Sequence, residues 1–294
     1  MAVLKPVDGT TYYLWKYIPN LVASIIFIVL YFLAGCSIGF RMYKTKTWFC
    51  SAFVIGCFLE VIGYCGRASA VNQTDQLAPY IIQATFILIP PAFFAASIYM
   101  ILARIIRMVD GDHLSVIKPR IVTKIFVTGD LLSFMVQGNA SGLTVHANLR
   151  TIATVLVIFG LAIQLISFVF FAVCAVIFHR RFRRNPTSRS YHVDPKWVQT
   201  LYMLYAVSVL IVIRSVFRII EYAFGNDGYP LSHEWTLYAF DSIPMILVAI
   251  IFFLYYPSNV APKLLDHDDD AMRLESQATC DSIRDLGQSV GERA

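Results

Sequence analysis

The sequence predicts an all-α, polytopic membrane protein, a seven-transmembrane-helix bundle with its N-terminus outside and its C-terminus in the cytosol. Three observations point there. Of the 294 residues 57% are hydrophobic and 15% charged, with a mean hydropathy of +0.63, a composition suited to a bilayer as solvent. Seven apolar stretches reach the length of about 20 residues that a helix needs to cross a ~30 Å hydrocarbon core. Lys and Arg gather in alternate connections, which fixes orientation.

The elements follow in order. An N-terminal segment, 1–17, carries Lys5 and Lys16 and is expected outside. It lacks the basic start, short apolar run and small-residue cleavage site of a signal peptide, so the first span, Ile18–Phe40, is expected to act as its own insertion signal. Arg41, Lys44 and Lys46 follow it on the cytosolic side. The second span, Trp48–Ala70, leads outward to Asn72-Gln73-Thr74, a glycosylation sequon. The third, Pro79–Ala103, holds Pro90-Pro91, which must bend or break its helix, and returns to Arg104, Arg107, Lys118 and Arg120. The fourth, Ile121–Leu143, and fifth, Thr151–Phe178, flank an outer loop whose basic residue is Arg150, and the fifth ends in Arg180, Arg181, Arg183, Arg184, Arg189 and Lys196. The sixth, Trp197–Glu221, and seventh, Trp235–Tyr256, complete the domain 18–256, the seventh bent at Pro244. The tail, 257–294, is polar, carries Asp266, Asp268, Asp269 and Asp270, and reads as a largely disordered cytosolic segment. The spans lack the period-two alternation of a membrane barrel. No disulfide is expected, because Cys36, Cys57, Cys65 and Cys174 fall in spans, Cys50 at the cytosolic edge and Cys280 in the tail.

Four spans carry ionisable groups: Glu60 and Arg67 in the second, Asp130 in the fourth, Arg214, Arg218 and Glu221 in the sixth, and Asp241 in the seventh. Each costs about 2.5–3.5 kcal/mol near the bilayer centre, so such groups face the bundle interior and pair. Glu60 and Arg67 are seven residues apart, and Arg214, Arg218 and Glu221 are four and then three apart, which puts each set on one helix face. Gln137, His233 and Glu234 join them near the outer surface. The sequence therefore predicts a polar site, open or openable to the outside, walled by spans two, four, six and seven. The competing reading is a set of interhelical ion pairs that only fixes the register of the bundle.

Several chemistries lack their apparatus. There is no GxxxxGK phosphate loop, so the chain is not expected to hydrolyse ATP. The last span has no lysine for a retinal Schiff base. His113, His146, His179, His192, His233 and His267 lie in loops, at span ends or in the tail, so a membrane zinc hydrolase is not expected. Basic residues clustered at membrane edges argue against nucleic acid as a partner. No enzyme activity and no cofactor is expected.

Five segments together carry a resemblance. These are Glu60-Val61-Ile62-Gly63-Tyr64-Cys65-Gly66-Arg67; Pro91 through Ala95-Ala96-Ser97-Ile98-Tyr99 to Arg104; Asp130-Leu131-Leu132-Ser133 to Gln137-Gly138; Arg214 to Phe217-Arg218-Ile219-Ile220-Glu221; and Glu234 to Tyr238-Ala239-Phe240-Asp241 with Pro244-Met245. In this order the chain resembles the RTA-like family of fungal lipid-translocating exporters. The resemblance implies a seven-helix protein, typically at the plasma membrane, linked to export of amphipathic molecules such as sphingoid bases or to resistance against sterol-like toxins, with some relatives linked to porphyrin or haem. Gly138-Asn139-Ala140-Ser141-Gly142 is less glycine-rich than usual for the family.

The expected partners are membrane lipids and an amphipathic small-molecule substrate. The expected substrate-binding residues are Glu60, Tyr64, Arg67, Pro91, Tyr99, Asp130, Gln137, Arg214, Arg218, Glu221, Glu234 and Asp241. Carboxylates would face a cationic head, and the arginines would hold those acids ionised or bind a phosphate or propionate. A seven-helix receptor or sensor and a ligand-free accessory protein stand as alternatives.

Overall fold

The computed structural model describes residues 15, 17–115, 119–143, 150–185, 196–224, 228–229 and 233–258. Nearly all of the segment 1–17 and of the tail 257–294 lies outside the described residues, as do Lys118 and Arg189. Among the described residues the structure is helical and has no strand.

Helix α1 (Leu21–Thr45) starts at Asn20, whose side-chain oxygen accepts from the amides of Val22 at 2.9 Å and Ala23 at 3.2 Å, satisfying donors that a helix start leaves open. It stops at Lys46, which adopts a left-handed φ of 54° and turns its amide back to the Met42 and Tyr43 carbonyls. A 3-10 turn, Trp48–Cys50, leads into α2 (Ser51–Ala70). The third span is two helices, α3 (Leu77–Leu88) and α4 (Pro90–Met108), divided at the double proline. Helices α5 (Pro119–Leu143), α6 (Arg150–Arg184) and α7 (Lys196–Ala223) follow. The last span combines α8 (Glu234–Leu237), a π-helical turn (Tyr238–Ser242) and α9 (Ile243–Leu254).

Six segments are long and apolar enough to cross a membrane, with α3 and α4 counted together, and the 25-residue α5 is the seventh helix of comparable length. Several helices outrun the predicted spans. Helix α1 continues past Phe40 to include Arg41 and Lys44, and α6 continues past Phe178 to Arg184, because charge at a helix end does not stop it once it has left hydrocarbon.

Helix α1 packs on α2 and α9, α2 on α3 and α4, α4 on α5 and α7, α5 on α6, α6 on α7, and α7 on α9. The outward faces stay apolar: Val22, Ile26, Leu33, Phe159, Ile166 and Phe170 are exposed, as lipid contact requires. The interior is aromatic, with Phe53 stacked on Phe94 at 4.3 Å and on Phe252 at 3.9 Å between ring centroids.

Glycines let α2 and α3 approach, as small residues do in membrane bundles. A Cβ on Gly63 would sit 2.8 Å from Ile87 Cγ1, 3.0 Å from the Phe86 carbonyl carbon and 3.1 Å from the Ile87 amide nitrogen, so backbone is in the way. Gly63→Ala is expected to cost about 1–3 kcal/mol. Gly39→Ala, where the added Cβ would meet only Val54 at 3.6 Å, should be neutral or slightly stabilising. Thermal unfolding in detergent compares the two, and equal melting would contradict this packing.

Candidate functional site, an ionic core between α2, α7 and the last span

Two breaks in helical hydrogen bonding build the site. Pro91 has no N–H to give the Ile87 carbonyl one turn earlier. That carbonyl instead accepts from Arg214 Nη2 of α7 at 2.6 Å. A helix interruption thus provides an acceptor for a buried guanidinium, which stands 3% exposed. The π turn of the last span is the second break. Its closing bond runs from the Ile243 amide to the Tyr238 carbonyl, five residues back, and such turns re-aim side chains at functional positions. Asp241 lies within it.

Asp241 joins both arginines of α7. Its Oδ1 is 2.5 Å from Arg214 Nε and accepts from Arg218 Nε at 3.1 Å, and its Oδ2 accepts from Arg218 Nη2 at 2.5 Å. Arg218 Nη1 also donates to Glu221 at 2.8 Å, one turn along the same helix. Beside this node stands Glu60 of α2, 1% exposed, within electrostatic reach of Asp241, Arg214 and Arg218. Its Oε2 is buried and has no hydrogen-bond partner. The core therefore holds two guanidiniums against three carboxylates, and Glu60 is the acid left over.

A second ionic layer lies nearer the end of α2. Arg67 Nη2 pairs with Glu234 Oε1 at 2.7 Å and donates to Tyr17 at 3.2 Å, while Nε donates to Tyr238 at 3.1 Å. The same Glu234 oxygen accepts from the Asn20 amide at 2.8 Å and from Tyr238 at 3.1 Å. Rings of Trp15, Tyr17 and Tyr238 stand 5.9, 5.5 and 5.3 Å from the guanidinium carbon. Arg67 is 0% exposed, yet its Nη1 and the Trp15 indole nitrogen are buried without partners.

The spacing of the layers follows from register. Glu60 and Arg67 are seven residues apart on α2, and Glu234 and Asp241 are seven apart on the last span. Seven residues rise roughly 10 Å, so the two elements meet at two matching levels. Between the levels run the rings of Tyr238, Phe27 and Tyr64, stacked at 5.3 Å for each of the two contacts, with Tyr31 beyond at 5.7 Å from Tyr64. Tyr31 donates to the Ser242 carbonyl at 3.1 Å, and Tyr64 donates to the Ser242 hydroxyl.

The structure brings together Glu60, Tyr64, Arg67, Arg214, Arg218, Glu221, Glu234 and Asp241, with Pro91 acting through the carbonyl it frees. It does not bring in the other three expected residues. Asp130 of α5 accepts from Tyr99 of α4 at 2.9 Å, and Gln137 donates to Gln164 of α6 at 3.4 Å. The fourth span packs on α4 and α6, so it does not wall the ionic core, contrary to the single site expected. The core is also closed in this conformation, with Glu60, Arg214, Glu221 and Asp241 each 3% exposed or less. Sequence reasoning missed Tyr31, Ser242, Asn20, Trp15 and Tyr17, which are uncharged. Tyr17 and Asn20, three residues apart on either side of Pro19, offered no periodic signal.

Among the described residues no three His, Cys, Asp or Glu side chains are grouped to hold a metal ion. What the arrangement can do is bind charge: it offers one spare buried carboxylate in the core and spare N–H donors above it.

Known proteins bear on this geometry. A family model described as "RTA1 like protein" matches residues 53–264, which include both ionic layers. Protein RTA1 of Saccharomyces cerevisiae is 33% identical over 269 residues, covering 83% of this chain and 84% of RTA1. Protoporphyrin uptake protein 1 of the same yeast is 37% identical over 200 residues, covering 68% of this chain and 66% of that protein, just under two thirds of its length. The sphingoid long-chain base transporter RSB1 of Saccharomyces cerevisiae is 26% identical over 306 residues, covering 86% of this chain and 79% of RSB1. No solved structure matches the chain. With the matched region spanning most of the helical bundle and both charged layers, the chain belongs to the RTA1-like family of membrane proteins.

Proposed function

We propose that the chain is a translocator of amphipathic, lipid-like molecules with a cationic head, and that Glu60 receives the head. The observation that carries this reading is the spare carboxylate. A buried charge is stable only with a partner, and among the described residues Glu60 Oε2 has no hydrogen-bond partner and Glu60 no ion pair, whereas Asp241 and Glu221 are committed to arginines. An ammonium would complete the core at one carboxylate per cation. The aromatic column between the layers offers faces for the adjoining apolar chain. The family carries both a sphingoid base transporter and a protoporphyrin uptake protein by name, and a sphingoid base is an amphipathic amine of the class this core fits. Export toward the outside, residence in the plasma membrane and resistance to the exported compound belong to the same proposal.

A second reading has its own observation. Arg67 Nη1 and Trp15 Nε1 are buried donors without acceptors, which suits a propionate or phosphate and hence an anionic amphiphile such as a porphyrin.

Reconstituted in liposomes, the chain should move a fluorescent long-chain base between leaflets faster than protein-free liposomes do, and equal rates would remove the translocator reading. Competition by a porphyrin dicarboxylate, but not by its dimethyl ester, would favour the second reading.

The proposed orientation, N-terminus outside and C-terminus inside, makes the exposed Asn72 exoplasmic. Glycosidase treatment should shift the mass of the wild type by more than that of Asn72→Gln. Glycosylation of a sequon placed between Arg184 and Lys196 instead would reverse the assigned topology.

A further inference from the structure

We propose that Asp130 is a proton-binding site through which a pH gradient drives translocation, an inference that rests on the transport reading but concerns a different part of the molecule. Asp130 is 3% exposed, in the middle of α5. One carboxyl oxygen accepts from the Tyr99 hydroxyl at 2.9 Å, and the other is buried without a partner. The Tyr99 ring is itself enclosed by Phe126, Phe168 and Phe171, at 5.3, 6.0 and 4.5 Å between centroids. From α4 the titratable group facing Asp130 is Tyr99, and from α6 the side chains on this cluster are Phe168 and Phe171. On α5 itself Lys124 is exposed. Among the described residues no Lys, Arg or His makes a hydrogen bond or ion pair with Asp130.

The contrast with the ionic core gives the inference its content. Asp241 and Glu221 are paired with guanidiniums, and Glu60 lies within electrostatic reach of the same arginines. Asp130 has none, and an isolated carboxylate in hydrocarbon costs several kcal/mol. While buried beside Tyr99 it is stable as the neutral acid, and a conformation that wets it lets the proton go. The step is a simple transfer: a proton from water on one side adds to a carboxylate oxygen and later leaves to water on the other side, with no oxidation or reduction. Intramembrane acids placed in this way serve as proton relays in transporters. A chain without a phosphate loop draws any drive from a gradient or from a partner, and a proton gradient is the proposed source.

The test uses the full chain in liposomes and a fluorescent long-chain quaternary ammonium, which carries no titratable proton of its own. With one proton exchanged per cation, a one-unit pH gradient should concentrate the probe up to about tenfold. Asp130→Asn should still exchange the probe at equal pH while losing the accumulation. Accumulation retained by Asp130→Asn, or exchange by the wild type without any response to the gradient, overturns the proposal.

A second measurement is independent of transport. The infrared difference spectrum, wild type minus Asp130→Asn, should contain the carbonyl stretch of a protonated, buried carboxyl group, shifted in Tyr99→Phe, which keeps the ring and removes the donor. A difference spectrum without that band, or a band that Tyr99→Phe leaves unmoved, overturns the proton site. A wild type that shows the band and moves no probe overturns the coupling role together with the transport reading.

Discussion

Asp241→Asn is expected to destabilise the folded chain by about 3–5 kcal/mol, the range found when one member of a buried ion pair is removed. The carboxylate neutralises two guanidiniums at once, touching Arg214 Nε at 2.5 Å and Arg218 through both of its oxygens. Asparagine keeps the shape but not the charge, which would leave Arg214 with the Ile87 carbonyl and Arg218 with Glu221. Both cations would then sit in a nearly anhydrous interior with one acid directly paired between them. Thermal unfolding in detergent measures the effect. Replacing Arg214 by Met in the Asp241→Asn background should recover part of the loss, since the double change removes a cation along with its counter-ion. Unchanged melting of the single variant would mean that the node contributes little to the fold. One consequence concerns function: lost transport in Asp241→Asn would report on folding, so this residue is a poor probe of head-group binding.

Glu60→Gln is the complementary case, and here the large effect is expected on transport alone. Among the described residues Glu60 Oε2 has no hydrogen-bond partner and Glu60 no ion pair, so the amide should melt no lower than the wild type. A charge-assisted hydrogen bond to an ammonium contributes about 1.5–3 kcal/mol, and its loss should weaken binding of a long-chain amine roughly ten- to a hundredfold. A long-chain alcohol of equal length, which carries no charge, should bind both forms alike. Equal amine transport by Glu60→Gln and the wild type would exclude the carboxylate as the head-group ligand. The two acids lie in the same core and are expected to respond oppositely, because one is already neutralised and the other is not.

The bundle was legible in the sequence because spanning length is a one-dimensional property: six of the seven predicted stretches recur as long apolar helices, and the seventh, α5, is as long as α1. The double proline announced the break between α3 and α4 for the same local reason. What it could not announce was the partner of the freed Ile87 carbonyl, since Arg214 lies 127 residues away. The charges of spans two, six and seven were expected to converge, and their depth and helical spacing were enough to say so. Asp130 has comparable depth, and depth alone does not tell which helices are its neighbours. That is decided by the packing of α5 on α4 and α6. The π turn left no mark either, because a bond five residues back instead of four changes no residue type. It nevertheless aims Asp241 at both arginines. Trp15, Tyr17 and Asn20 fell near a span boundary drawn by hydropathy, and hydropathy is silent about uncharged residues that reach Arg67 and Glu234.

The most direct test of the head-group site is a structure of the chain determined with a long-chain amine bound. The amine nitrogen should lie within hydrogen-bond distance of Glu60, with the Arg214–Asp241–Arg218 node intact and the Arg67–Glu234 layer displaced to admit the chain. Amine density confined to the outward, lipid-facing helix surfaces, with Glu60 still unpartnered and both layers unchanged, would contradict it.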